Sequence, residues 1–148
     1  MKASNYPKYI VVREATGITL DPVNIIFEID MEEIAAVLSR DGWQQAYIEN
    51  PAYLEDRKPL ATYEKRIVGM VVRYHMRLWL FDVGDVYIGN AHLDMPWLTG
   101  HRSYHNVGRD YVAKLFLDAG YAVETTFLDN VIRDHDGWAA KIYKKIDK

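Results

Sequence analysis

Residues 73–94, RYHMRLWLFDVGDVYIGNAHLD, decide the architecture. In the first half the even positions Tyr74, Met76, Leu78 and Leu80 are apolar, while Arg73, His75 and Arg77 occupy odd positions ahead of Trp79 and Phe81. Successive side chains on a strand point to opposite faces, so the alternation predicts one buried face and one displayed face. Val83-Gly84 falls where the chain must reverse, and glycine supplies the positive φ that hairpin turns demand. With Asp82 and Asp85 flanking that turn, the register pairs Arg73 with Asp94, His75 with His92, Arg77 with Asn90 and Trp79 with Ile88. The apolar face pairs Tyr74 with Leu93, Met76 with Ala91, Leu78 with Gly89 and Leu80 with Tyr87.

Upstream, residues 9–12 form a short β-branched run suited to an edge strand, and residues 23–28 (VNIIFE) read as a buried strand. Asp30 is placed to cap a helix, with Glu33 as the return half of a capping box. Met31, Ile34, Ala35 and Leu38 mark its inner stripe, and Asp41-Gly42 ends it. Residues 43–48 read as a brief strand or extended link, and residues 49–60, polar with two prolines, as a surface loop. Residues 61–72 fit either a strand leading into the hairpin or a helix broken at Gly69. Downstream, residues 95–105 read as irregular. Asn106 is placed to cap a second helix with Val107, Tyr111, Leu115, Phe116 and Ala119 inward, closed by Gly120. Residues 121–128 form a further strand, and residues 138–146 a last one after a turn at 134–137. Strand, helix, hairpin, helix, strand is the split β-α-β order. The expected fold is therefore α+β, a ferredoxin-like antiparallel sheet with two helices on one face plus edge strands, in a single domain over residues 1–148.

Composition narrows the function. The chain has 148 residues, 18 basic and 21 acidic, for a net charge of −3, which argues against a nucleic-acid binder. It has no cysteine, which excludes disulfides, thiolate zinc sites and cysteine nucleophiles. The opening MKASNYPKYIVVRE holds no apolar run of signal-peptide length, and no segment approaches a membrane span, so a cytoplasmic protein is expected.

The displayed face carries the candidate chemistry. His75 and His92, directly opposed, would bring their Cβ atoms to about 5 Å, within reach of one metal ion or one phosphate. With Asp94 they form an acceptable ligand set for zinc, iron or manganese, and His101 or His105 could add a further nitrogen. Two such histidines can also act as general base and acid without metal. The plain alternative is a solvated sheet face. Arg73 opposite Asp94 reads as a cross-strand ion pair worth about 1 kcal/mol or less, or as an arginine held for an anion. Arg77 has no charged partner in this register and suits an anion clamp. The loop GHRSYH (residues 100–105) is rich in functional groups, and the amides of Val107 and Gly108 open a helix beside Arg109, a natural anion site. Trp79 is placed to cover one end of the face or line a pocket wall.

Several segments resemble the LssY C-terminal domain family. DPVNIIFEIDMEEIAAVLSRDGW is similar to its opening strand, helix and Gly-Trp step, HMRLW to its His-Leu-Arg-Leu-Trp strand, and VYIGNAHLD to its strand ending in aspartate. TGHR and RDY match the later motif more loosely, with Ser103, Tyr104 and Gly108 departing from it. The likeness spans about residues 21–126. It puts His75, Arg77, Trp79, Asp94, His101, Arg109 and Asp110 at family-motif positions, and leaves His92 and Arg73 outside them. The family's activity is uncharacterised. Its frequent place behind membrane domains, including a lipid-phosphatase type, implies phosphoester chemistry. The expectation is a hydrolase-like domain acting on a phosphate-containing ligand. His75, Asp94 and His101 would be catalytic residues or ligands of a divalent metal, and Arg77, Arg109 and Trp79 would contact the anionic substrate. The alternative is a non-catalytic module that binds a small anion or a partner protein.

Overall fold

The computed structural model describes residues 6–11, 19–46, 52–55, 57–69, 71–82, 84–98 and 100–146. In chain order these form β1 (Tyr9–Val11), β2 (Thr19–Pro22), β3 (Ile25–Glu28), α1 (Met31–Arg40), β4 (Gln44–Gln45) and β5 (Ala61–Val68). There follow β6 (Val72–Asp82), β7 (Val86–Trp97), β8 (Gly100–Tyr104), α2 (His105–Asp118), β9 (Ala122–Phe127) and β10 (Trp138–Tyr143). An eight-stranded sheet runs β4-β5-β6-β7-β3-β10-β9, with β8 also paired to β7, and β1 and β2 form a separate two-stranded sheet.

The hairpin has the expected register, from Arg73↔Asp94 through His75↔His92 to Leu80↔Tyr87. It shifts only next to the turn, between Leu80 and Asp82, where Gly84 and Asp85 take positive φ. Val83 lies outside the described residues. The apolar face of the hairpin packs as the alternation requires. Met76, Leu78, Tyr87 and Ala91 share one core with Ile25 and Phe27 of β3, Ile34, Val37 and Leu38 of α1, and Val112 and Phe116 of α2. Asp30 caps α1 by accepting from the Glu33 N–H at 2.8 Å. The return half of the capping box is diverted, because the Glu33 carboxylate accepts from the Tyr121 hydroxyl instead.

Four expectations need correction. The sheet is mixed rather than antiparallel: β10 lies parallel to β3 and is inserted between β3 and β9, the strand that follows α2. Burial explains the order. Ala139, Ala140 and Ile142 are fully covered in β10, whereas Glu124, Thr125 and Phe127 of β9 are exposed and suit an edge. Second, residues 95–105 are not irregular, since β7 continues to Trp97 and pairs with β8 in a second hairpin. Third, α2 begins at His105, one residue before the expected cap, and Val107 is 44% exposed. The inner stripe is His105, Gly108, Arg109, Val112 and Phe116. Fourth, the displayed hairpin face is not open to solvent. Ile10, Val23, Ala52 and Leu54 fold over it and build a second apolar cluster with Ile26, Trp79, Ile88 and Leu128. Within the segment expected to be a surface loop, Tyr53 bridges to Val11 and Leu54 is buried. Of the segment 61–72, Ala61–Val68 forms β5, Gly69 follows with positive φ and Val72 begins β6.

Gly108 sets the distance between α2 and β7, because a Cβ on it would overlap the His92 backbone. In a helix interior alanine is favoured over glycine by about 1 kcal/mol. Forcing one methyl into a closed contact costs about 1–3 kcal/mol, and here the obstacle is backbone that cannot rotate away. Gly108→Ala is therefore expected to lower the urea midpoint of unfolding, and a variant as stable as the parent would contradict this packing.

Candidate functional site

Alternate residues of β6 and β7 place His75 beside His92, with Asn90 and Asp94 two positions to either side on β7. Asn24 brings a third histidine to the same place. Its Nδ2 donates to the Ala91 and His105 carbonyls while its Oδ1 accepts from the Ala91 N–H, which ties the start of α2 to β7. His135 arrives from the bend closed by its bridge to Ile132. Four of the five histidines thus form one row, His75–His92–His105–His135, with ring centroids 5.1, 5.6 and 6.3 Å apart and edge-to-face contacts throughout. All four are at most 5% exposed, as are Asp21 and Asn90, and Asp94 is 6% exposed.

Hydrogen bonds fix one ring nitrogen each of His92, His105 and His135 as donor or acceptor. The Pro22 carbonyl can only accept, so the Asn90 nitrogen 2.7 Å away is its Nδ2 donor. The other end of that amide, Oδ1, therefore faces His92 Nδ1 at 2.6 Å, and Nδ1 must carry the proton that it donates. The same Asn90 Nδ2 lies 3.1 Å from His105 Nδ1, which accepts. His135 is set likewise: Asn130 Nδ2 donates to the Lys8 and Val23 carbonyls, and Asn130 Oδ1 accepts from His135 Nε2 at 3.0 Å. With Nδ1 protonated, neutral His92 would turn an Nε2 lone pair toward the Asp94 carboxylate 3.3 Å away. Two acceptors at that separation in a buried site need a proton or a metal ion between them, and in the bare protein a proton on Nε2 makes His92 a charged donor to Asp94. His75, whose buried Nε2 has no hydrogen-bond partner among the described residues, belongs to the same ligand group.

The electrostatics follow. Burial, reinforced by His92 and Arg77, holds the His75 imidazole far below its usual value. Burial opposes charge on His92 too, but the Asp94 carboxylate overrides it and raises His92. Burial pushes Asp94 upward, yet hydrogen bonds from His92 and from the Ser103 hydroxyl at 2.7 Å keep it below the usual carboxylate range.

The site expected from sequence is partly rearranged. His75 and Asp94 come together, and His92, a cross-strand neighbour that the family motifs leave out, stands between them. His101 lies on β8 opposite Pro96, with its side chain outside the described residues. Arg77 does have a charged partner, Asp21, at 3.4 Å, supplied by a strand remote in sequence. Arg109 donates to Asp136 at 2.6 Å, to Asp110 at 2.8 Å and to the Trp138 carbonyl, so it ties α2 to β10 and the bend before it. Trp79 is 1% exposed in the second apolar cluster, its indole N–H donating to the Arg57 carbonyl. Asn90 stands where the hairpin register put it, opposite Arg77, whereas Asp21, His105 and His135 reach the site through tertiary contacts. Of these three, His105 carried a sequence signal, its place in the polar GHRSYH loop.

Two buried triplets bring ligand atoms within 4.8 Å of one another: His75, His92 and Asp94, and Asp21, His92 and His105. In the second, Asp21 already has Arg77, and His105 Nδ1 is held by Asn90. The first contains the close His92–Asp94 pair and His75, whose Nε2 has no hydrogen-bond partner among the described residues, which makes it the better cation site. A separate cleft of about 470 Å³ lies beside α2, lined by Asp41, Tyr74, Val107, Tyr111 and Lys114. Its inner polar groups satisfy one another, with Tyr111 bonded to both Lys65 and Asp41 at 2.7 Å. No protein-family model matches the chain, and no curated protein or solved structure matches it.

Burial lowers His105 and His135, each to about 4. Between pH 6.5 and 4 the unfolded chain therefore binds more protons than the native one. The corresponding stability is complete above that window and lost as pH falls through it. In chelator, the urea midpoint is expected to drop through this range, with a shallower slope in His135→Gln; equal slopes in parent and variant would contradict the buried neutral state of His135.

Proposed function

We propose that this chain is a metal-dependent domain that holds one divalent ion of the zinc class between His75, His92 and Asp94. The single observation that carries this is the approach of His92 Nε2 to the Asp94 carboxylate, with His75, whose buried Nε2 has no hydrogen-bond partner among the described residues, in the same ligand group. Two imidazoles and a carboxylate match a three-ligand site with a position left for water or substrate. His101 remains a candidate further ligand. The resemblance of HMRLW and VYIGNAHLD to the LssY C-terminal domains supports the same centre, because His75 and Asp94 sit at motif positions there. Under this proposal β3, α1, β6, β7, α2 and β9 form a ferredoxin-like split β-α-β frame into which β10 has been inserted.

A bound ion would supply Lewis-acid activation for hydrolysis of a phosphate-containing ligand, the reaction class we assign. Arg73, near both Glu64 and Asp94 and with its side chain 28% exposed, is a cation that reaches from that end of the site toward solvent. One observation favours a second reading: the burial of all three ligands suits a non-catalytic module in which the ion organises the domain.

The test starts from protein stripped with chelator and titrated with zinc or cobalt(II) by calorimetry. One equivalent is expected to bind and raise thermal stability, by about 2.7 kcal/mol at a hundred times Kd. Binding should be lost in His92→Ala and Asp94→Asn. Saturable binding unaffected by both substitutions, or none in the parent, would overturn the assignment. Turnover of bis(p-nitrophenyl) phosphate that requires both the ion and His75 supports the hydrolytic role; binding without turnover supports the module.

A further inference from the structure

We infer that Asn90 is the positioning residue of this centre, the group that selects Nε2 as the ligating nitrogen of His92 and denies the ion to His105. This rests on the metal reading above and extends it from which residues bind to which atoms do so, and why.

The selection follows from one amide with three neighbours. Pro22 is the fixed reference, since its carbonyl has no donor and dictates which end of the Asn90 amide carries nitrogen. Everything else is forced. Oδ1 accepts the Nδ1 proton of His92, so the nitrogen of that ring left to exchange a proton for a metal ion is Nε2, on the side of Asp94. Nδ2 occupies His105 Nδ1, so that ring keeps its own proton on Nε2, 3.9 Å from Asp21 Oδ1. A single side chain thus gives two adjacent imidazoles opposite roles. A ligating histidine normally donates its second ring N–H to a fixed acceptor, and removal of that acceptor typically weakens metal affinity 10–100-fold. Asn90, 1% exposed and without a water-facing alternative, is that acceptor.

Asn130 provides an internal control. It holds His135 Nε2 through the same kind of amide, anchored on the Lys8 and Val23 carbonyls, but His135 belongs to neither ligand triplet. An effect of Asn90 that came only from loosening a buried polar layer would be reproduced at Asn130.

The experiment measures cobalt(II) affinity and visible absorption of the full chain, per folded protein, for the parent, Asn90→Ala, Asn90→Asp and Asn130→Ala. Asn90→Ala is expected to weaken binding 10–100-fold and alter the cobalt spectrum. Asn90→Asp, which keeps an oxygen acceptor for the Nδ1–H, should recover most of the affinity, and Asn130→Ala should match the parent. Should Asn90→Ala fail to fold, nitrogen-detected NMR of the zinc-loaded parent decides alone: His92 must keep its proton on Nδ1 and bind through Nε2. Equal losses at Asn90 and Asn130, parental affinity in Asn90→Ala, or ligation through Nδ1 would each overturn the role of Asn90 while leaving the metal centre standing. A parent that binds neither cobalt nor zinc would instead overturn the centre, and this inference with it.

Discussion

The approach of His92 Nε2 to the Asp94 carboxylate at 3.3 Å, inside the protein, is the constraint from which the site follows. Neither group can turn away. His92 is held from behind by Asn90, and Asp94 from the side by Ser103. A buried carboxylate facing an imidazole lone pair is strongly unfavourable, because moving an ionised group out of water costs several kcal/mol unless it is paired. A proton on Nε2 meets that requirement in the bare protein. A divalent ion can meet it in the same place and recruit His75 as well, whose own nitrogen is left without a partner.

The fold is arranged to tolerate this polar layer. The hairpin is packed on both faces, by the main core on one side and by Ile10, Val23, Ala52 and Leu54 near Trp79 on the other. The polar groups occupy the stretch of that second face beyond the apolar cluster, and two of the charge pairs there join different elements. Arg77 of β6 meets Asp21 of β2, and Glu64 of β5 meets Arg73 of β6. These cross-element pairs, and the His92–Asp94 pair within β7, add little net stability, since desolvation offsets most of the attraction. They do fix positions, and the two asparagines extend that control to the individual ring nitrogens.

How much of this was legible in the sequence divides along physical lines. Period-two alternation and a turn glycine defined the hairpin register, because both are local and a one-residue slip would invert every side chain. The same alternation could say which residues share a face but not what covers that face. The cover comes from β1, β2 and residues 52–54, and it turned a displayed surface into a buried layer. Arg77 lacked a partner in the strand register because its partner, Asp21, lies 56 positions away. Gly108 was missed as the inner contact of α2, since hydrophobic periodicity favours large side chains and the close approach needed none. The place of β10 depends on small buried alanines beside an exposed neighbour, which a strand-by-strand reading cannot rank. His92 was in view from the start, paired opposite His75, but family motifs gave it no weight.

The most direct measurement is X-ray absorption at the zinc edge on protein loaded with one equivalent of zinc and then dialysed. The account predicts retained zinc with a first shell of nitrogen and oxygen at about 2.0–2.2 Å and outer scattering from at least two imidazoles. Zinc lost on dialysis, or retained with no imidazole in its surroundings, would contradict it.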